Sequence, residues 1–190
     1  MRLFLSADPD GAAREALRVE LARLRGRLAE WDRCVRWVSA DTVHLTIRFL
    51  GEVPAERLGR LTEALGSSIP LPAFEAELSA AGVFAKRGSV RTLWLAVGGG
   101  REQMCALHDE VAARLCADGW PDEDRPFTPH LTIGRVREQY ARKVQGLSEA
   151  MMAAVLRPIR WRVADLVLYS SDLSGARPVY TAVHRIALAG

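Results

Sequence analysis

Two of the four histidines in the chain begin the same short string of residues. His44-Leu45-Thr46-Ile47 recurs, letter for letter, as His130-Leu131-Thr132-Ile133. An imidazole gives or takes a proton near neutral pH. Each histidine is followed two residues later by a hydroxyl, which can donate a hydrogen bond. The repeat therefore predicts a paired general acid and general base with hydrogen-bond donors beside them.

The spacing within the string fits a β-strand, on which side chains alternate between the two faces. His44 and Thr46 would then point one way, as would His130 and Thr132, while the leucines and isoleucines enter the core. Two imidazoles across a cleft suit phosphoryl transfer. A neutral imidazole takes a proton from the attacking oxygen, and a protonated one gives a proton to the leaving oxygen. The threonine hydroxyls can hydrogen-bond the non-bridging oxygens, where charge must be held.

The elements that position the motifs also follow one another twice, in the order strand, helix, motif strand, helix, strand. Hydrophobic spacing and turn residues predict these elements. The predicted strands are 2–7, 35–38, 43–49, 73–85, 92–97, 128–136, 159–169 and 178–188, and the predicted helices are 11–30, 58–65, 101–117 and 138–153. The order predicts one α+β domain over residues 1–190, with half-repeats at about 1–87 and 88–176 and a last strand that completes the fold. We expect a two-lobed, pseudo-symmetric duplication in which antiparallel sheets line a central cleft and helices lie outside.

The composition is that of an ordinary globular protein, with 49% apolar and 26% charged residues. The 26 basic residues against 23 acidic ones give a net charge of +3, which is compatible with a phosphate-bearing partner. No apolar run approaches the ~20 residues of a membrane span. Three cysteines without CxxC spacing, and no signal peptide, predict reduced thiols in the cytoplasm. The sequence shows no metal-binding motif and no self-association signal, so we expect a monomer without metal or cofactor.

The paired strings resemble the His-x-Thr-x signature of the two-histidine (2H) phosphoesterase superfamily. The most similar branch is the bacterial and archaeal RNA 2′,3′-cyclic phosphodiesterase family, historically called the 2′-5′ RNA ligase family. The likeness covers nearly the whole chain. It is carried by Arg36–Val38 with Val43–Glu52, by Arg125–Arg135 and by Leu168–Leu173. Gly134 is less typical of that family.

The resemblance implies metal-independent hydrolysis of a 2′,3′-cyclic phosphate at an RNA end, giving a 2′-phosphomonoester. It implies that His44 gives a proton to the leaving oxygen and that His130 activates water. It also implies slow, reversible 2′-5′ joining of RNA ends. The symmetry of the repeat alone leaves the roles of the two histidines open.

Three further residues are candidates for binding substrate. Arg135 follows the second motif and can clamp a phosphate with two hydrogen bonds. Arg48 shares the face of His44 by simple alternation, and Phe127 can stack on a base. His108 and His184 are interpreted as structural.

Two alternative functions remain open. One is a non-catalytic RNA- or nucleotide-binding module, against which two titratable groups argue because binding alone does not require them. The other is a phosphodiesterase for small cyclic nucleotides or 2′-5′ oligonucleotides, in which the same histidines and threonines would serve.

Overall fold

The computed structural model describes residues 1–123, 126–175 and 178–189, and in these residues ten strands and four α-helices follow one another. The strands are β1 (Arg2–Ala7), β2 (Val35–Trp37), β3 (Leu45–Glu52), β4 (Ser68–Ile69), β5 (Phe74–Lys86), β6 (Ser89–Gly99), β7 (His130–Val136), β8 (Arg160–Val163), β9 (Asp165–Asp172) and β10 (Val179–Leu188). The helices are α1 (Gly11–Arg27), α2 (Leu58–Leu65), α3 (Arg101–Ala117) and α4 (Leu147–Met152). The predicted α+β class is confirmed.

The strands form two five-stranded sheets. The first sheet has the order β3-β1-β9-β10-β4, and the second has the order β2-β7-β6-β5-β8. Strand pairs are antiparallel in both sheets except for β10 with β4. Each motif strand pairs with the first strand of its own half: β3 with β1, and β7 with β6.

The two halves of the chain exchange strands between the sheets. β5 comes from the first half but lies in the second sheet, and β9 comes from the second half but lies in the first sheet. β5 turns into β6 through Arg87 and Gly88, whose φ angles of 51° and 76° are those of a tight hairpin turn. The predicted boundary at residues 87 and 88 falls in this turn. The other predicted limit, Ala176, lies outside the described residues, as does Arg125, and descent from a duplication stays a prediction.

Two predicted elements were wrong. The single strand predicted at 159–169 is divided at Ala164 into β8, which pairs with β5, and β9, which pairs with β1 and β10. The chain leaves its pairing with β5 at Ala164 in order to pass from the second sheet to the first. The continuous apolar pattern of 159–169 does not reveal this break. The helix predicted at 138–153 is reduced to a 3-10 turn (Glu138–Tyr140) and α4.

Helix α1 begins and buries one face as its sequence predicts. Asp10 caps α1 by accepting a hydrogen bond of 2.8 Å from the Ala13 amide. Leu17, Leu21 and Leu24 then recur at helical spacing and are buried. They join a core cluster that also contains the inward side chains of both sheets, among them Leu45 and Leu131 of the motifs. No described helix is long and apolar enough to cross a membrane.

Candidate active site

The two motifs lie on neighbouring strands of different sheets. His44 immediately precedes β3 and His130 begins β7, and β3 and β7 run close to each other. The leucine and isoleucine of each motif are buried, whereas the histidine and threonine are only partly buried. This is the alternation that the sequence predicts. It places the polar side of each motif on the face of its sheet that is turned away from the core.

Both imidazoles are held in the same way. Nδ1 of His44 lies 2.9 Å from the carbonyl oxygen of Thr42, and Nδ1 of His130 lies 2.6 Å from that of Thr128. A carbonyl only accepts, so Nδ1 carries the proton and donates it in this bond. The bond fixes the tautomer and ring orientation, which leaves Nε2 as the atom that can exchange a proton with a substrate.

The His44 ring lies among aromatic side chains of the first sheet. Phe4 is 4.7 Å away between ring centroids, and Tyr180 approaches edge-on at 5.1 Å. Tyr169 in turn stacks on Phe4 at 5.5 Å. These rings wall His44 on the cleft side of the sheet. Sequence reasoning missed them, because only the strand register brings β1, β9 and β10 beside the motif.

The His130 ring has a matching aromatic wall from the second sheet. Phe84 approaches it edge-on at 4.9 Å, and Trp94 lies 6.1 Å away. Phe84 and Trp94 stack on each other at 5.0 Å. Gly82 makes room for this pair, because a Cβ at that position would stand 2.6 Å from the Trp94 ring. Sequence reasoning missed these residues too, and their local spacing carries no signal for the arrangement.

One arginine acts electrostatically on both histidines. Burial lowers the pKa of His44, and the positive charges of Arg14 and Arg135 lower it further. The hydrogen bond to Thr42 and the Asp8 carboxylate raise the pKa and so oppose this change. Burial likewise lowers the pKa of His130, the bond to Thr128 opposes it, and Arg135 adds to it. Arg135 also opposes the rise that burial causes in the pKa of Tyr180. Arg135 is therefore close enough to act on both imidazoles, and β3 and β7, the strands of the two motifs, also run close to each other.

A β-bulge turns Arg135 towards this cleft. Leu93 pairs with Gly134 but Trp94 pairs with Thr132, so Ile133 is an extra residue in β7. A bulge reverses the alternation of the residues that follow it. Arg135 therefore lies on the His130 face and is exposed. The residue on the core side is Gly134, where a Cβ would stand 2.7 Å from Cγ1 of Val35. Close packing of β2 explains the less typical glycine.

The same bulge in β3 makes the prediction for Arg48 wrong. Leu5 pairs with Arg48 but Ser6 pairs with Thr46, so Ile47 is the extra residue. Arg48 is only 4% exposed and turns away from His44. Its guanidinium donates to the Pro121 carbonyl and lies 3.6 Å from a Glu123 carboxylate oxygen. Arg48 thus stabilises the segment that leads to the second motif, and Phe49 takes the cleft-side position.

Phe127 is also placed differently from its prediction as a base-stacking residue. Its ring stacks on His108 of α3, with centroids 4.4 Å apart and planes 5° apart, and it packs against the core. His108 therefore covers one face of the Phe127 ring, and base stacking by Phe127 stays a prediction. His108 and His184 have structural contacts, since Nε2 of His184 lies 2.9 Å from the Gly66 carbonyl oxygen.

His44 has a charged neighbour that His130 lacks among the described residues. Asp8 accepts hydrogen bonds of 2.6 Å from the hydroxyls of both Ser6 and Tyr169, and it pairs with Arg14 at 3.3 Å. Burial and the bond to Asp8 raise the pKa of Tyr169 to about 12. Arg14 also donates to the Val43 carbonyl at 3.0 Å, next to the motif. The cluster ties the start of the His44 strand to α1 and β9.

The groups of the cleft that could act on a substrate are the imidazoles of the two histidines, the hydroxyls of the two motif threonines and the guanidinium of Arg135. The described ranges contain no group of three or more His, Cys, Asp or Glu side chains that could hold a metal ion. The arrangement can take a proton on one side of a bound group, give one on the other, and hold negative charge between them.

Comparison with known proteins shows similarity along the whole chain. A model of the 2′-5′ RNA ligase superfamily matches residues 12–175. An RNA 2′,3′-cyclic phosphodiesterase of Thermotoga maritima is 29% identical over 191 residues, which cover 100% of this chain and 97% of the relative. One of Archaeoglobus fulgidus is 34% identical over 139 residues, covering 73% of this chain and 74% of the relative. The crystal structure of Escherichia coli LigT complexed with 3′-AMP is similar with a TM-score of 0.73 at 28% identity, covering 100% of this chain and 98% of that one.

Proposed function

Because this chain belongs to the 2′-5′ RNA ligase superfamily, we propose that it is an RNA 2′,3′-cyclic phosphodiesterase that produces 2′-phosphomonoesters. The observation that carries the proposal is the pair of imidazoles. Each imidazole is anchored through Nδ1, the two belong to strands of different sheets, and Arg135 acts electrostatically on both. The Escherichia coli neighbour binds a nucleotide, 3′-AMP, which supports a nucleotide at this cleft.

In the proposed reaction, Nε2 of neutral His130 takes a proton from water as the water oxygen attacks phosphorus. The bond from phosphorus to O3′ breaks, and Nε2 of protonated His44 gives its proton to O3′. The field of Asp8 favours the protonated form of His44, and no carboxylate acts in this way on His130 in the described residues. This difference supports the roles that the family resemblance implies.

The charge on the phosphate is held by groups beside the two imidazoles. Arg135 faces the non-bridging oxygens, and the hydroxyls of Thr46 and Thr132 donate to them. 2′-5′ joining of RNA ends is the same chemistry with a 5′-hydroxyl in place of water. We further propose that the protein acts as a monomer in the cytoplasm, on RNA with cyclic phosphate ends.

The direct test is to incubate the protein, in the presence of EDTA, with an oligoribonucleotide that ends in a 2′,3′-cyclic phosphate. We expect turnover, with a 2′-phosphate and not a 3′-phosphate at the product end. Absence of turnover, with measurable affinity, would favour the non-catalytic binding module. Turnover abolished by EDTA would contradict metal-independent catalysis.

A further inference from the structure

A second arginine stands directly opposite Arg135 on the neighbouring strand. β2 pairs with β7 in the register Val35 to Val136, Arg36 to Arg135 and Trp37 to Gly134. Residues that are opposite each other in an antiparallel pair have side chains on the same face of the sheet. Arg36 therefore shares the face of Arg135.

The packing of Gly134 independently shows which face this is. A Cβ on Gly134 would meet Val35 and Trp37, so those side chains lie on the Gly134 side. Arg36 alternates with them and lies on the other side, which is the cleft side because Arg135 acts on both histidines. Both arginines are exposed. Paired arginines thus extend the polar surface of the cleft from β7 to the edge of the second sheet.

Two like charges in directly opposite positions destabilise a strand pair. Other arginines of the fold have acidic partners, such as Arg25 with Asp32 and Arg185 with Asp165. Neither Arg36 nor Arg135 forms an ion pair with a carboxylate in residues 1–123, 126–175 and 178–189. An anion between or beside the two guanidinium groups would remove this repulsion, so the arrangement has the character of an anion site.

We propose that Arg36, next to Arg135, binds the phosphodiester that precedes the terminal nucleotide of the RNA, so that the enzyme prefers oligonucleotides to mononucleotides. The inference rests on the proposed function and assigns a second phosphate position to the same cleft. With the cyclic phosphate between the histidines, Arg135 serves that phosphate, and Arg36 lies one strand further out. A nucleoside 2′,3′-cyclic phosphate has no second phosphate and cannot use this position.

The test compares kcat/KM for adenosine 2′,3′-cyclic phosphate with kcat/KM for an oligoadenylate that has the same cyclic end. A third substrate carries an uncharged methylphosphonate in place of the last phosphodiester. We expect wild-type protein to prefer the charged oligonucleotide. Arg36→Ala should lower the oligonucleotide-to-mononucleotide ratio about tenfold, because one charge-assisted contact is lost. Arg36→Glu should lower this ratio further. For the wild-type protein, kcat/KM should be lower for the methylphosphonate oligonucleotide than for the charged oligonucleotide.

Arg162→Ala is the matched control. Arg162 is an exposed strand residue of the same sheet, on β8 at the opposite edge from β2. Its replacement removes the same charge and should leave the ratio at the wild-type value. In Arg36→Ala, the slope of log kcat/KM for the oligonucleotide against log salt should become shallower by about 0.7.

The outcomes separate this inference from the proposed function. If wild type hydrolyses both substrates but the ratio is the same in Arg36→Ala, the second phosphate position is wrong and the phosphodiesterase stands. An equal fall in Arg162→Ala would also overturn the inference, since the effect would then be one of net charge. If wild type hydrolyses neither substrate, the proposed function itself fails.

Discussion

The two motif strands share four residues and a bulge at the same isoleucine, but the residues after the bulge differ. On the core side, β3 has Arg48 and β7 has Gly134. On the cleft side, β3 has Phe49 and β7 has Arg135. The shared part holds both imidazoles in the same way. The different part adds an aromatic ring to the cleft at β3 and a positive charge at β7, so a symmetric pair of histidines lies in an asymmetric environment.

The charged groups near the two imidazoles also differ. Arg135 acts on both imidazoles, whereas Asp8 and Arg14 act on His44 only. An acid and a base made from the same side chain must differ in their surroundings, because their work requires different protonation states. Unequal surroundings of this kind allow a repeated histidine to have two roles.

Removing either imidazole should have the largest effect. His44→Ala and His130→Ala should each lower kcat by about 10²–10⁴-fold, since each loses a proton transfer in the reaction. Activity is measured on the cyclic-phosphate oligonucleotide, and thermal unfolding checks that each variant is folded. A folded variant with near wild-type activity would show that the two histidines do not work as a pair.

The arginines after the two motifs should behave oppositely. Arg135→Ala should lower kcat/KM by about 10²–10³-fold and change the free energy of unfolding by less than about 0.5 kcal/mol, because its side chain is exposed. Arg48→Met should destabilise the fold by about 1–3 kcal/mol, because it leaves the Pro121 carbonyl and Glu123 without their partner. Its kcat should stay within about threefold of wild type, a change too small to indicate a lost transition-state contact. If both variants lost activity without losing stability, or both lost stability without losing activity, the two arginines would not lie on opposite faces as the bulges place them.

The charge beside His44 should set one limb of the pH profile. The rate should be bell-shaped in pH, and the alkaline limb reports loss of the proton from the acid. Asp8 raises the pKa of His44, so Asp8→Asn should lower that pKa and move the alkaline limb to lower pH. Tyr169→Phe keeps the carboxylate and is the control. If Asp8→Asn moved the acid limb instead, His44 would be the base and His130 the acid.

The smallest effect on activity is expected on the core side of the second motif. Gly134→Ala places a methyl group 2.7 Å from Cγ1 of Val35 and should destabilise the fold by about 1–3 kcal/mol. Gly59→Ala, where a Cβ meets nothing within 4 Å, is the control. Chemical denaturation gives both free energies. Equal stability of the two variants would contradict the close packing of β2 on β7.

The local sequence was sufficient for the features that depend on periodicity. The alternation at His44 and His130 and the limits of α3 followed from spacing, because strands and helices have fixed repeats. Arg48 was assigned to the wrong face, because a bulge depends on pairing with another strand. The division at Ala164 and the aromatic walls, such as Phe84 beside His130, were missed for a similar reason: they depend on which sheet a strand joins.

The exchange of β5 and β9 has a consequence for any attempt to take the molecule apart. A chain cut between Arg87 and Gly88 would give two fragments, each with one histidine and each missing strands of its own sheet. Neither fragment could close its core alone, and mixing them should restore both sheets together. The protein is thus suited to split-fragment complementation, in which catalysis reports reassembly.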